Sequence, residues 1–268
     1  MVSLREGEVR TGQAIRTDKR IAYFAGCTAN FVDPEVGEAA VQVLQRNGFR
    51  VMAPDLECCS IGRLSYGGRG TFLRRARTNV RRLAEADCDV VTTCTSCALA
   101  LKREYPRLLG TQEAERVAQR TYDIMEYLVR LRARGVLDTE FQPIRLHIAY
   151  HAPCHLKVLG QEAIDSRLEL LRLIPGLTVT HIDRGCCGMG GTFGFKRSNY
   201  PTSMAIGQAL FDAIREALPD MIVTECPGCK LQIEQGTGLS VSHPILIIKQ
   251  AYAVQACGAP WREPVASS

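Results

Sequence analysis

Residues 184–191 read RGCCGMGG, and residues 57–60 read ECCS. Adjacent cysteines crowd two reactive sulfurs together and can close only a strained ring on each other. A chain that makes this arrangement twice has a use for it other than bridging. Working outward from the two pairs, the cysteines fall at Cys27, Cys58, Cys59, Cys94 and Cys97, then at Cys154, Cys186, Cys187, Cys226 and Cys229. The spacings are C-x30-CC-x34-C-x2-C and C-x31-CC-x38-C-x2-C, so the chain is a tandem duplication with a period of about 127 residues. Only Cys88 and Cys257 stand outside the pattern, and both read as buried, inert thiols.

Short runs rich in aliphatic and β-branched residues predict strands at 21–26, 49–54, 88–93, 145–151, 177–182 and 220–225, each ending at or just before a cysteine motif. Helical patterns lie between them, at 33–48, 71–86, 165–176 and 201–220. In the first of these, Asp33 and Pro34 read as a cap and first-turn pair and Gly48 as a stop. Strands alternating with helices of this length argue for parallel sheets covered on both faces. The expected fold is α/β, with two Rossmann-like βαβ domains related by a pseudo-twofold axis. In an open parallel sheet the loops leaving the carboxyl ends of the strands converge on one crevice, where dispersed cysteines can meet. The polar segment 110–143 reads as a helix and a connector. The expected division is an N-terminal tail (1–19), a first domain with connector (20–143), a second domain (144–257) and a C-terminal tail (258–268).

With 268 residues, 46% apolar side chains and 23% charge, the composition is that of a chain able to bury a sizeable core. A formal charge of +5 gives no sign of nucleic-acid binding; the one basic concentration, TFLRRARTNVRRLAEA at 71–86, reads as a solvated helix face. No stretch is long and apolar enough to span a bilayer, and the start lacks the core of a secretion signal. The expected location is cytoplasmic, with membrane contact at most peripheral. The apolar segment 244–257 reads as a packed terminal helix.

Twelve cysteines in a chain of this size and compartment point to metal or redox chemistry rather than disulfides. Three readings remain. A zinc site uses CxxC half-sites such as CTSC and CPGC, but four ligands satisfy zinc and leave the vicinal pair and fifth cysteine unexplained. A dithiol site needs one CxxC opening a helix, whereas here each CxxC comes with three companions. An iron–sulfur cluster in each half accepts more thiolates and seats neighbouring sulfurs on different irons. It also uses the glycines (Gly62, Gly67, Gly68; Gly185, Gly188, Gly190, Gly191), since residues without a β-carbon let backbone N–H groups approach sulfur.

The pattern resembles the tandem cysteine-rich CCG family of iron–sulfur proteins. That family includes the B subunit of heterodisulfide reductase and the C subunit of anaerobic glycerol-3-phosphate dehydrogenase. AYHAPCH (149–155), CCGMGGTFGFKRSNYPTSMAIG (186–207) and VTECPGCKLQIE (223–234) are similar to the latter in particular. The resemblance implies one non-cubane [4Fe–4S] cluster held by Cys27, Cys58, Cys59, Cys94 and Cys97, and another by Cys154, Cys186, Cys187, Cys226 and Cys229. It implies redox partners as well: a flavin dehydrogenase, a ferredoxin-type protein, or both. Two departures stand out. Ser60 replaces the glycine expected after the first vicinal pair, and the chain has no ferredoxin-type CxxCxxCxxxC motif.

His151, His155 and His181 lie near the second set, where a neutral imidazole that donates to sulfur or relays a proton would tune a cluster. Lys196 and Arg197 would offset its negative charge. No nucleotide fingerprint is found, because cysteines occupy the middle of GCCGMGG. The expected function is that of an oxidoreductase component which takes electrons from a flavin-type dehydrogenase toward a quinone or another protein. The alternatives are an enzyme cleaving a disulfide at a cluster, and a zinc-binding or cluster-dependent structural or sensing protein.

Overall fold

The computed structural model describes residues 19–253. Eight strands form two sheets: β1 (Arg20–Phe24), β2 (Arg50–Met52), β3 (Asp89–Thr92) and β4 (Thr121–Asp123), then β5 (Leu146–Tyr150), β6 (Leu177–His181), β7 (Met221–Val223) and β8 (Val241–Ser242). The orders are β2-β1-β3-β4 and β6-β5-β7-β8, and every pair is parallel. The chain therefore folds as the duplicated α/β architecture that its cysteine spacing predicts. Six strands fall on the expected runs. The short β4 and β8 lie outside them, and β4 falls inside the segment read as helix and connector; that segment supplies helices Gln112–Gln119 and Ile124–Ala133 on either side of it.

The inner strands are buried on both faces, as the side-chain period of two requires. Ile21 and Tyr23 enter one core, while Ala22 and Phe24 enter another; Ile148 and Tyr150 separate from Ala149 in the same way. The first of these cores is common to both halves. Helix Pro34–Arg46 of the first half packs on the C-terminal helix Pro244–Ala253, and helix Ile124–Ala133 packs on Gln161–Leu171 of the second half. Each half thus gives its last helix to the other. The terminal helix is packed, as its apolar sequence predicts, through Ile245, Ile247, Ile248 and Ala251.

Outside this shared core, the arginine-rich helix Arg69–Ala86 covers the first sheet with Phe72, Ala76, Val80 and Leu83, and helix Tyr200–Glu216 covers the second with Leu210, Phe211 and Ile214. Both sheets are therefore enclosed, and only the strand ends remain for chemistry. Asp33 departs from its expected role. It makes no side-chain cap on helix Pro34–Arg46 and pairs instead with Lys230 of the other half at 2.6 Å. Of the predicted tails, residues 1–18 and 258–268 lie outside the described residues, as does Cys257. Cys88 is half-buried, and burial raises its thiol pKa.

Candidate metal centres

The strand order decides where the cysteines go. In each sheet the chain leaves the first strand toward one neighbour and later crosses to the other side, so a crevice opens at the carboxyl ends of β1 and β3, and of β5 and β7. Cys27 and Cys154 follow β1 and β5, while Cys94 and Cys226 follow β3 and β7 at the N-terminal caps of helices Thr95–Leu99 and Pro227–Thr237. The vicinal pairs follow β2 and β6 on the loops alongside.

All five cysteines of each set come together. In the first half, Cys27 is hydrogen-bonded to Cys58, Cys58 to its neighbour Cys59, and Cys97 to Cys94; the sulfurs of Cys59 and Cys97 are 3.3 Å apart. In the second half, Cys154 and Cys186 are 3.6 Å apart and Cys187 and Cys229 3.3 Å apart, with Cys186–Cys187 and Cys226–Cys229 completing the run. The geometry is a rim of sulfurs. Among the described residues no three His, Cys, Asp or Glu side chains converge as on a single metal ion.

The acidities repeat from half to half. Hydrogen bonds from Cys27 and Cys59, the Ser60 N–H and the charge of Arg75 lower the pKa of Cys58, against burial. Hydrogen bonds from Cys154 and Cys187 and the Gly188 N–H do the same for Cys186. Cys226 falls to about 7, chiefly through its bond from Cys229, and Cys94 is lowered by Cys97. Their donors are pushed the other way: Cys27, Cys59 and Cys97, and Cys154, Cys187 (to about 12) and Cys229, rise by giving hydrogen bonds to neighbouring thiolates. Five crowded thiols cannot all ionise without cationic charge among them. Binding of iron would supply it and release protons.

The surroundings fit such a group. Ser60 N lies 3.5 Å from the Cys58 sulfur and Gly188 N 3.4 Å from that of Cys186, placing backbone donors on the sulfurs. Several buried side-chain atoms beside the cysteines have no partner, among them Thr95 Oγ1 and Thr224 Oγ1, both ring nitrogens of His151, His181 Nε2 and Thr192 Oγ1. A buried polar atom left alone costs about 1–3 kcal/mol, so such a concentration marks where a bound group completes the bonding. The donor set is all sulfur, which suits iron–sulfur clusters.

The two rims meet. Cys94, Cys97 and Cys226 line one small cavity on the seam between the halves, together with Thr93, Thr224, Lys230 and His243. Cys94 and Cys226 are near enough for the charge of one to act on the other. Polar links tie the seam. Arg167, almost fully buried, donates to Asp123 at 2.5 Å and to Glu225 at 3.1 Å, while the His243 ring donates from Nε2 to the Thr93 carbonyl at 3.0 Å. Asp123 and His243 lie at the end of the last strand of their own halves.

Of the histidines singled out by sequence, His155 pairs with Ser96 Oγ at 2.9 Å across the seam, and burial lowers its pKa. His151 and His181 border the second rim without partners for the ring nitrogens named above. Lys196 and Arg197 are exposed, and Lys196 sits 4.3 Å over the Tyr66 ring rather than on a cysteine. Sequence reasoning missed Arg75, Ser96, Asp123, Arg167, Glu225 and His243. Ser96 lies inside CTSC and Glu225 directly before Cys226; no local pattern marks the other four.

The sequence profile of the cysteine-rich domain family matches residues 21–102 and 148–234, one copy over each rim. The chain is 37% identical over 242 residues to the C subunit of the anaerobic glycerol-3-phosphate dehydrogenase of Escherichia coli (strain K12), covering 87% of this chain and 59% of that one. It is 30% identical over 242 residues to the B subunit of the fumarate reductase (CoM/CoB) of Methanothermobacter marburgensis, covering 87% and 47%. It is also 30% identical over 217 residues to an uncharacterized iron-sulfur protein of Methanocaldococcus jannaschii, covering 80% and 41%. The chain thus spans about half the length of these relatives.

Proposed function

The chain belongs to the cysteine-rich CCG domain family, and from that premise we propose that it relays electrons through two non-cubane [4Fe–4S] clusters. Cys27, Cys58, Cys59, Cys94 and Cys97 hold one, and Cys154, Cys186, Cys187, Cys226 and Cys229 the other. The observation that carries this reading is the unbroken run of contacting sulfurs, made twice and meeting at Cys94 and Cys226.

When bound, such clusters supply one-electron exchange at a potential set by burial, charge and hydrogen bonds to sulfur. The rest is the work of the chain. Hydrogen bonds from neighbouring thiols lower the pKa values of Cys58, Cys94, Cys186 and Cys226, which favours the deprotonated form that a ligand to iron needs. The backbone donors at Ser60 and Gly188 spread charge off the sulfurs. Arg167, with Asp123 and Glu225, fixes one half against the other and so holds the separation between the two sites.

Entry and exit are served by the outer ends of the rims. Cys27 and Cys154 are exposed, and each is followed by an exposed apolar pair at matching positions, Phe31 and Val32 in one half and Val158 and Leu159 in the other. Such edges suit docking of redox proteins, a flavin-type dehydrogenase supplying electrons and a quinone-linked or other protein accepting them. The seam cavity has about 30 Å³, room for about one or two water molecules, which favours relay over cleavage of an organic disulfide at that point. Among the described residues no helix is long and apolar enough to cross a membrane; the proposed location is the cytoplasm, with any membrane contact made through partners.

The test is reduction of anaerobically prepared protein by a reduced flavoprotein, followed by reoxidation with a quinone analogue, both monitored by EPR. Uptake and return of about one electron per cluster supports the relay. Protein that takes electrons from the flavoprotein yet passes none to the quinone analogue, and instead spends two of them with two protons on each disulfide it cleaves to thiols, would belong to the enzyme class instead.

A further inference from the structure

The two rims are built on one plan but differ at one buried position. The chain through the end of β1 runs Tyr23-Phe24-Ala25-Gly26-Cys27, and that through the end of β5 runs Tyr150-His151-Ala152-Pro153-Cys154. Phe24 in the first half therefore corresponds to His151 in the second. Both are buried, His151 to 1% exposure. Phe24 packs in the outer core of its sheet. His151 is held by its own backbone, whose N–H donates to the Val223 carbonyl at 2.9 Å, while neither ring nitrogen has a partner.

The ring is not lost in an apolar core. The ring stands near enough to Cys186, the second sulfur of the rim, for a charge on one to act on the other, and His181 with its own unpartnered Nε2 stands nearby. The other charged neighbours are already committed, since Lys157 pairs with Asp183 at 2.9 Å. In the first half the matching thiol, Cys58, feels the charge of Arg75, whose Nη1 donates to Ser60 Oγ at 3.2 Å and whose Nε is ion-paired with Glu57 at 3.0 Å. The second rim thus has a buried imidazole with neither nitrogen bonded. The first has a phenyl ring at that position, and its nearby cation is Arg75 on the covering helix.

We propose that His151 is a positioning and tuning residue that donates a ring N–H hydrogen bond to a sulfur of the group held by the second cysteine set. The inference rests on the proposed function, since it needs a group with acceptor sulfurs in that rim. A hydrogen bond to sulfur stabilises the more negative, reduced state. The bond then raises the potential of the second site above the value that a phenyl ring at this position would give, which favours passage of an electron from the first site to the second across the Cys94–Cys226 seam with no bond made or broken. The imidazole is one asymmetry that the duplication alone does not supply.

Holoprotein made without oxygen with 15N-histidine tests this by pulsed EPR, after iron and sulfide have been measured. In Cys59→Ser protein, which keeps the second site alone, a histidine 15N coupling is expected, and it should vanish when His151→Phe is added. In the otherwise native chain, His151→Phe should keep its iron and lower the midpoint of the second site by about a tenfold change in the reduction equilibrium, about 59 mV for one electron. The midpoint of the first site should not move, and His151→Gln, which retains an N–H, should fall between. Absence of 15N coupling, an unmoved second midpoint, equal shifts at both sites, or loss of iron from His151→Phe would each overturn the role given to His151. Protein without iron and sulfide at the outset would instead overturn the function on which it rests.

Discussion

After the vicinal cysteines the two halves solve one backbone problem with different residues. Gly188 and Ser60 occupy the same place, both with positive φ (90° and 61°), and both direct an N–H at the sulfur two residues before. In the second half a β-carbon at Gly188 would lie 1.9 Å from the Ser203 carbonyl oxygen, so glycine is compulsory. In the first half the covering helix brings Arg75 to the turn, and its guanidinium bonds to Ser60 Oγ. The strain of a left-handed serine, on the order of 1–2 kcal/mol, is offset by this bond and by one from Ser60 Oγ to the Cys58 carbonyl at 3.2 Å. The missing glycine is thus no sign of a degraded site. What the turn must conserve is the aim of its N–H.

The comparison can be broken most severely at the sulfurs. Cys59→Ser and Cys187→Ser should each remove about half of the bound iron and leave the rest, measured as metal per chain; uniform loss from either would show that the rims do not load independently. Next come the seam links. Arg167→Met leaves Asp123 and Glu225 as uncompensated buried charges and should cost about 3–5 kcal/mol in denaturant unfolding. At the turn itself, Gly188→Ala should destabilise by about 2–4 kcal/mol through overpacking and left-handed strain. The matching Ser60→Gly exchanges strain for hydrogen bonds and should stay within about 1 kcal/mol.

The His243 link sharpens the contrast between the two seam contacts by pH. Burial lowers the pKa of His243 from 6.5 to about 4, outweighing its bond to the Thr93 carbonyl. The ring is therefore protonated more readily when the chain is unfolded. The associated stability is intact above pH 6.5 and drains away as the pH falls toward 4, by up to about 3 kcal/mol. His243→Gln should flatten this slope over the same window, whereas Arg167→Met, which removes the charge that holds the Glu225 pKa down and leaves Asp123 unpaired, should change it.

The duplication, six of the strands and the convergence of ten cysteines were legible because each rests on spacing or on an apolar run that the sequence displays. β4, Thr-Tyr-Asp inside a polar segment, and the two-residue β8 lie in no apolar run, and the pairing of β4 beside β3 is settled only by the fold. Asp33 looked like a cap because of its neighbour Pro34; a lysine 197 positions away took it instead. Arg167, Asp123 and Glu225 are ordinary charged residues in sequence, and only the seam makes them a buried network. The exchange of last helices between halves is invisible for the same reason, since an amphipathic face does not say which half it covers. His151 was visible as a histidine near cysteines, and its alignment with Phe24 follows from the repeat, but its burial and its unpartnered ring are properties of the fold.

The most direct test of the central claim is metal and acid-labile sulfide analysis of protein purified without oxygen. About eight irons with matching sulfide per chain are expected if both five-thiolate rims hold four-iron clusters. Colourless protein, or protein containing zinc in place of iron, would contradict the account.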